Sequence, residues 1–535
     1  MSVYEKIMSM AKRRGFLYPS FEIYGGEAGF YDYGPLGTLL KNNIENKWRY
    51  FYIIRERFFE ISTPVITPYE VLKSSGHVDE FIDEIATCEK CNLSFKVEEL
   101  KNDRCPVCGG YVKKEKLNLM FETRIGAKKR EQAFLRPETA QGIFVDFYLL
   151  YEFFRRKIPF GVVQIGKGFR NEVSPRQGII RLREFSMAEA EIFFEPDKKE
   201  HPNFDEIKND KITLITENDE EVEATAEEAV NKRIVGNEAL AYYMALTKKF
   251  LKEVGIDESK IRFRQHKKNE LAHYANECWD AEIYSERFGW VECVGIADRS
   301  AYDLEAHIKA SGVDMRAFKK FDEPKRIKRR VIKPKMDKIG KKFKEKAGKI
   351  LKEMKKLEVN DEIDKIFVEI NGEKIEIERE YFDIEEIEEV EKGEKFIPHV
   401  IEPSYGIDRI FYFILEHNYK EVEKEGEKYS ILSLPSSMSP IKAGVFPLVN
   451  KDGLPEIARK IEEDLRKNGI ISFYDEGGSI GRRYARMDEI GTPFCITVDY
   501  QTKKDDTVTI RFRDTTEQIR VEINEIAKWI KERIN

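Results

Sequence analysis

The sequence predicts an α+β fold divided into more than one domain, and three observations carry that reading. The run from Val162 to Phe194, VVQIGKGFRNEVSPRQGIIRLREFSMAEAEIFF, sets two apolar strand-like segments around a short loop rich in Arg, Pro and Gly, which is the pattern of a hairpin. After about Lys428, strand-like and helix-like segments alternate over roughly 100 residues, as in a separate α/β domain with a mostly parallel sheet. The length of 535 residues, 41% of them hydrophobic and 12% aromatic, provides for more than one core.

Composition narrows the class further. No apolar run approaches the roughly 18 residues of a membrane helix, and MSVYEKIMSMAKRRGF lacks a signal-peptide core, so a cytoplasmic chain without membrane contact is expected. Net charge is −6, so any nucleic-acid contact has to rest on local basic patches.

In chain order, residues 1–24 read as a helix entering a strand, and Gly25-Gly26 with the Asp32–Gly37 stretch make a turn-rich connection. A long amphipathic helix is expected from about Thr38 to Phe58, followed by an extended segment carrying Pro64 and Pro68. Cys88-x-x-Cys91 and Cys105-x-x-Cys108 have the spacing of a zinc ribbon, four thiolates around one Zn²⁺ in a closed structural site within 84–115; paired disulfides or free thiols are the alternative. The unpaired remainder, Cys278, Cys293 and Cys495, argues against an oxidising compartment. LRPETAQG places Glu138 just ahead of an amphipathic helix. Residues 196–265 read as a charged insertion ending in a surface helix, AYYMALTKKFLKEVGI. FGWVECVGIADRSAYDL begins as a strand presenting Glu292, a natural Mg²⁺ ligand beside a triphosphate, and its Arg299 can pair with an α-carboxylate. A basic helical and hairpin insertion spans 313–395: Lys319 to Lys356 is strongly basic, Met336, Ile339, Phe343, Ala347, Ile350, Leu351 and Met354 recur at helical spacing, and Asn371-Gly372 marks a two-residue turn. Its lysines suit either nucleic-acid phosphates or simple solvation.

The hairpin carries chemistry. Its first run ends in Phe169-Arg170-Asn171-Glu172, and its second presents Arg181, Phe185 and Glu189 at i, i+4 and i+8, sharing one strand face with Arg183. A guanidinium fork matches phosphate, a Phe face stacks on a purine, and carboxylates accept from an amine.

FRNE, a loop, then R-x-x-x-F-x-x-x-E resembles the second signature motif of class II aminoacyl-tRNA synthetases. IEPSYGIDRIFYFILEH, Ile401 to His417, resembles the third, with Ser404 where a glycine often stands. The helix and extended segment ending at Pro64 or Pro68 resemble the first motif, which implies a homodimer. EIYGGEAGFYDYGPLG, TPYEVLKSSGH, LRPETAQG, RNEVSPRQG, GIADRSAYDL, IEPSYG and GSIGRRYARMDEIGTPF, in that order over nearly the whole chain, are similar to the glycyl-tRNA synthetase family of archaeal and eukaryotic type. The resemblance implies a class II antiparallel-sheet catalytic domain over 1–428, with the three insertions inside it, and an anticodon-binding domain over 429–535. It implies activation of glycine with ATP and transfer to tRNA(Gly), with Mg²⁺ as the ion.

By the same resemblance, Arg170 and Arg409 are catalytic. ATP falls to Arg170, Asn171, Glu172, Ile180, Arg181, Leu182, Phe185, Glu292, Cys293, Gly406, Asp408 and Arg409, with Phe185 under adenine and Arg409 on the γ-phosphate. Glycine falls to Glu138, Phe185, Glu189, Arg299, Glu402, Ser404 and Gly406. Another class IIa synthetase, or a non-catalytic relative of the fold, shares parts of the pattern; the latter tends to lose the phosphate-binding arginines, and Arg170, Arg181 and Arg409 are all present.

Overall fold

The computed structural model describes residues 2–534 except 98, 99, 101, 174, 176, 356, 358–362, 371, 372, 425 and 426. It divides into two compact units: Met1–Met315 with Ile397–Asn535, and Arg316–Phe396.

The first unit is built on a nine-stranded sheet. From one edge to the other run Glu221–Thr225, Lys211–Ile215, Ile261–Gln265, Glu277–Ser285, Gly289–Ser300, His399–Gly406, Glu184–Phe194, Phe160–Phe169 and Phe59–Glu60, antiparallel except at two peripheral pairings. The hairpin is present, with Phe160 facing Phe193 and Phe169 facing Glu184. The two faces of the sheet differ, as period-two alternation requires. On the Glu184–Phe194 strand, Ala188, Ala190, Ile192 and Phe194 enter a large apolar core with Trp48, Tyr52 and Tyr405, whereas Phe185, Met187 and Glu189 face a cavity.

The N-terminal helix, Val3–Arg14, starts with a capping box between Ser2 and Glu5 and stops at Gly15 in the left-handed region. The next helix, Pro35–Arg49, uses Pro35 in its first turn, where a missing N–H costs nothing. Gly37 is required there, because a Cβ would lie 1.9 Å from the Phe16 carbonyl oxygen. The helix continues into a π-turn at Tyr50–Arg55, so regular α-helix ends earlier than the periodicity predicts.

Two expectations are corrected. The 196–265 stretch contributes three strands of the sheet, and its helix, Glu238–Glu253, is buried on most sides. The charged look comes from edge strands such as Glu221–Thr225, whose outward glutamates are exposed, while Tyr242, Tyr243, Met244 and Leu246 are wholly buried in the main core. The C-terminal sheet is mixed: Ser472–Tyr474, Ala443–Pro447 and Phe494–Val498 are parallel, but Thr507–Phe512 and Gln518–Glu522 add antiparallel. Helices Leu454–Lys467 and Ile526–Ile534 cover it through Leu454, Ala458, Ile461, Leu465, Ile526 and Ile530. Arg13 and Arg14 both pair with Glu489, joining the N-terminal helix to this part of the unit.

In the second unit, Ala317–Pro334 is a long strand paired with Phe382–Phe396. Helices Met336–Phe343 and Ala347–Met354 bury Ile339, Ala347, Ile350 and Met354. Strands Lys365–Ile370 and Glu373–Glu378 are antiparallel; Asn371-Gly372 lie outside the described residues. The basic strand is largely matched by acid across the ribbon, as in Lys328–Glu386 at 2.9 Å and Lys333–Glu385 at 2.5 Å. Among the described residues, no helix is long and apolar enough to cross a membrane.

Candidate active site and zinc ribbon

A cavity of about 450 Å³ opens over the sheet, arginine-rich at one end and carboxylate-rich at the other. Register explains the floor. Gln164 pairs with Glu189, Glu189 with Ser404, Ser404 with Gly295, and Gly295 with Asp280, so a polar row with small residues at its centre crosses five strands.

At the arginine end, the strand–turn–helix at Gly406 starts the Ile407–Asn418 helix. Arg409, in its first turn, donates from Nε to the Ile180 carbonyl at 3.1 Å and from Nη1 to the Glu292 carbonyl at 2.6 Å, with the Glu292 carboxylate at 3.5 Å. Its neighbour Asp408 is buried, accepts from the Tyr33 hydroxyl and the Ser186 backbone N–H, and is raised above the ordinary carboxylate range, chiefly by burial. Asp408 therefore fixes the strand under Phe185. Arg170 lies 5.3 Å from the Phe185 ring centre and 5.2 Å from that of Phe81, and its buried Nε has no partner among the described residues. The Arg181 guanidinium is 3.8 Å from Glu172.

At the other end, Glu189 accepts from the Thr139 backbone N–H at 2.6 Å, from the Thr139 hydroxyl, and from the Ser404 hydroxyl at 2.7 Å. Burial and then the charge of Glu138 raise it. Glu138 behaves oppositely: burial opposes its ionisation, but His77, with Nε2 at 3.3 Å, Arg299 at 3.7 Å and a bond from Gln141 hold it well below the usual range. Glu402 is pushed up to about 8, first by burial and then by Glu189 and Glu138, against the pull of Arg299.

Of the residues expected to meet substrate, all but two line the cavity. Asn171 is not among the lining residues, and its backbone N–H is bonded to the Leu119 carbonyl at 2.7 Å. Arg299 is fully buried beneath the carboxylates, held by Asp303 at 2.8 and 2.9 Å and by Glu402 at 2.9 and 3.1 Å, and stacked on Tyr274 at 3.7 Å. Its charge is consumed by protein acids, so it does not reach the cavity to meet a substrate carboxylate. Arg183, expected beside Phe185, instead bonds the Glu172 carbonyl at 3.0 Å and Glu27 at 2.8 Å. Sequence reasoning missed His77, His266, Tyr274, Cys278 and Asp280 on the cavity wall. Cys278 and Asp280 stand two apart on a strand, a signal for one shared face, and Asp280 accepts from His266 Nε2 at 2.8 Å.

Away from the cavity, Cys88, Cys91, Cys105 and Cys108 converge with all four sulfurs within 4.8 Å of one another. Cys88 and Cys108 are 3.5 Å apart and Cys91 and Cys105 3.7 Å. Zn–S bonds of about 2.3 Å in a tetrahedron give sulfur separations of about 3.8 Å, so the donor set fits zinc. The Lys90 backbone N–H at 3.4 Å from the Cys88 sulfur favours its thiolate.

Comparison with known proteins fits this geometry. The family model described as "tRNA synthetase class II core domain (G, H, P, S and T)" matches residues 121–418, and the one described as "Anticodon binding domain" matches 442–533. A "Glycine--tRNA ligase" of Methanocaldococcus jannaschii is 52% identical over 575 aligned residues covering 99% of each chain; that of Pyrococcus horikoshii is 49% identical, covering 99% of this chain and 98% of its own. Among solved structures, the RNA binding domain of threonyl-tRNA synthetase from Cryptosporidium parvum aligns with a TM-score of 0.55 at 17% identity over 98% of both chains, a likeness of fold. Core motifs in register on one sheet, a matching core over more than half the length and near-complete relatives at about half identity lead to one conclusion: this chain belongs to the glycine-tRNA ligase family of class II synthetases.

Proposed function

We propose that this cavity activates glycine with ATP and that the resulting glycyl-adenylate is transferred to the 3′ end of tRNA(Gly). The observation that carries the residue assignment is the polarity of the cavity, with Arg170, Arg181 and Arg409 at one end and Glu138, Glu189 and Glu402 at the other. Glycine offers two charged ends and no side chain, so its ammonium belongs to the carboxylates and its carboxylate points toward Arg170. There it lies in line with the α-phosphorus of an ATP whose adenine stacks on Phe185, with Ile180, Leu182 and Gly406 shaping the nucleotide pocket. The carboxylate oxygen attacks phosphorus, pyrophosphate leaves, and Arg409 neutralises its growing charge; alignment and fixed charge supply the rate. Glu292 and the Cys293 backbone would hold Mg²⁺ and ATP. Bound Mg²⁺ supplies charge neutralisation along the triphosphate. Arg299 serves the amine site indirectly, by keeping Glu138 and Glu402 in place.

Residues 429–535 hold the anticodon end of tRNA, Zn²⁺ fills the four-cysteine site, and two copies form a cytoplasmic homodimer. The residue assignment is tested by a split in kinetics. Glu189→Gln should raise the KM for glycine about 10- to 100-fold, the worth of a hydrogen bond to a charged group, with the KM for ATP near the parent value. An unchanged glycine KM would remove the amine assignment.

A further inference from the structure

Gly295 lies on the floor of the cavity, between its two polar ends. It belongs to the Gly289–Ser300 strand, three residues after Glu292 and four before Arg299, and it pairs with Asp280 on one side and Ser404 on the other. A glycine inside a strand weakens it, since the chain loses more freedom on folding and no side chain packs. Three things account for one: a bulge or bend, a close approach by other protein atoms, or a close approach by a ligand.

The first two do not hold at Gly295. Register runs unbroken through it on both sides, from Val294, paired with Ala281 and Tyr405, to Ile296, paired with Trp279 and Pro403. The register shifts of this strand fall elsewhere, at Ala281/Glu282 and at Asp298/Ser300. The backbone of Gly295 is not in the left-handed region, and a Cβ built on it meets no described atom within 4 Å. Glycines of the neighbouring hairpin are different, because protein stands against them: a Cβ at Gly168 would lie 2.6 Å from the Phe185 ring, and one at Gly166 2.2 Å from Arg136 Nη2. Only the third reason is left for Gly295, and its direction is given by the cavity that it lines.

We infer that Gly295 is a substrate-contacting residue whose missing side chain lets the ribose–α-phosphate link of the nucleotide lie directly on the strand. The inference rests on the glycine-activating reading of the cavity. In that reading Glu292 belongs to the triphosphate side, and Ser404, bonded to Glu189, belongs to the amine side. The floor between them is where the glycine carboxylate oxygen and the α-phosphorus have to meet. A methyl group at Gly295 would lift the nucleotide off the floor, and a displacement of about 1 Å at the reacting atoms costs about 10²-fold in rate. The same methyl costs the fold nothing, because no protein atom stands in its way and alanine suits a strand better than glycine does.

The test sets stability against binding in the full-length chain. Gly295→Ala should unfold at a thermal midpoint no lower than the parent's in the absence of ligand, yet its calorimetric Kd for AMP should rise about 10- to 100-fold and its glycine-dependent pyrophosphate exchange should fall about 10²-fold. Gly295→Val, larger but a good strand former, should bind AMP more weakly still. Gly340→Ala, at an exposed helical glycine whose Cβ also meets no described atom within 4 Å, is the control and should leave both readouts at the parent value. A Gly295→Ala chain that binds AMP within about threefold of the parent overturns the inference, and so does a lowered midpoint, which would show the methyl striking protein instead. A loss confined to the glycine KM, with AMP binding intact, would also overturn it, by placing the amino acid rather than the nucleotide over Gly295. AMP binding does not depend on which amino acid is activated, so a parent chain that exchanges with another amino acid and not with glycine refutes the glycine reading separately.

Discussion

Arg299 is the cation that the carboxylate end of the cavity shares, so replacing it with methionine is the sharpest perturbation of the architecture. In the parent it is 0% exposed and faces Asp303, Glu402 and Glu138, which are 2%, 5% and 8% exposed. Arg299→Met keeps much of the stem's volume against Phe144 and Tyr274 but leaves three buried acids without their shared cation. Breaking a buried pair by deleting one partner costs about 3–5 kcal/mol, the range expected here near pH 8. The variant can relieve the cost only by taking up protons in the folded state. Its carboxylates then have folded pKa values above their unfolded ones, so its stability is greatest at low pH and falls as pH rises. As pH falls, the deficit against the parent should shrink by about 1.4 kcal/mol per pH unit for each carboxylate that is protonated in the variant and still ionised in the parent, a set that leaves out Glu402 below about pH 8. Urea unfolding followed by intrinsic fluorescence at several pH values measures this, reading the transition of the catalytic core, since a chain with several domains need not unfold in one step. A deficit below about 1 kcal/mol, or one independent of pH, would refute the idea that Arg299 neutralises this cluster.

Arg409→Ala should slow glycine-dependent pyrophosphate exchange by about 10²-fold or more, and Arg409→Lys should recover only part, because a single ammonium nitrogen lacks the planar fork whose Nε and Nη1 reach the separate Ile180 and Glu292 carbonyls. Freshly purified protein should carry about one zinc per chain by metal analysis, and Cys105→Ser should lose it. Ser404→Ala removes a donor to Glu189, so the glycine KM should rise about 3- to 10-fold with little change for ATP; an equal change in both would place Ser404 outside the amine site.

Much of this was legible in the chain because it is local. The 162–194 hairpin shows in its alternation and turn residues, the ribbon in its cysteine spacing, and Arg409 in a helix start just after a glycine. What was hidden depends on pairings distant in sequence. Arg299 reads as an exposed charge in GIADRSAYDL, and only Glu402, 103 residues on, Glu138 and Asp303 together make it a buried one. The Glu238–Glu253 helix reads as a surface helix because its lysines and glutamates stand out; its burial comes from a sheet assembled from strands on both sides of it. The parallel-to-antiparallel switch in the C-terminal sheet was missed because Gln518–Glu522 carries mostly exposed residues and little apolar signal. Gly295 looks like one more strand glycine in VECVGIADR, and its place on the cavity floor appears only when Ser404 and Asp280 are laid beside it.

The central claim, that the two-ended cavity is built for the smallest amino acid, is tested most directly by ATP–pyrophosphate exchange of the full-length chain against each amino acid in turn. Exchange should be supported by glycine, with alanine lower by well over the roughly 10- to 200-fold that a methylene can provide through binding alone, the margin that steric exclusion of a side chain requires. Equal or greater exchange with proline, threonine, histidine or alanine, or none with any amino acid, would contradict the account.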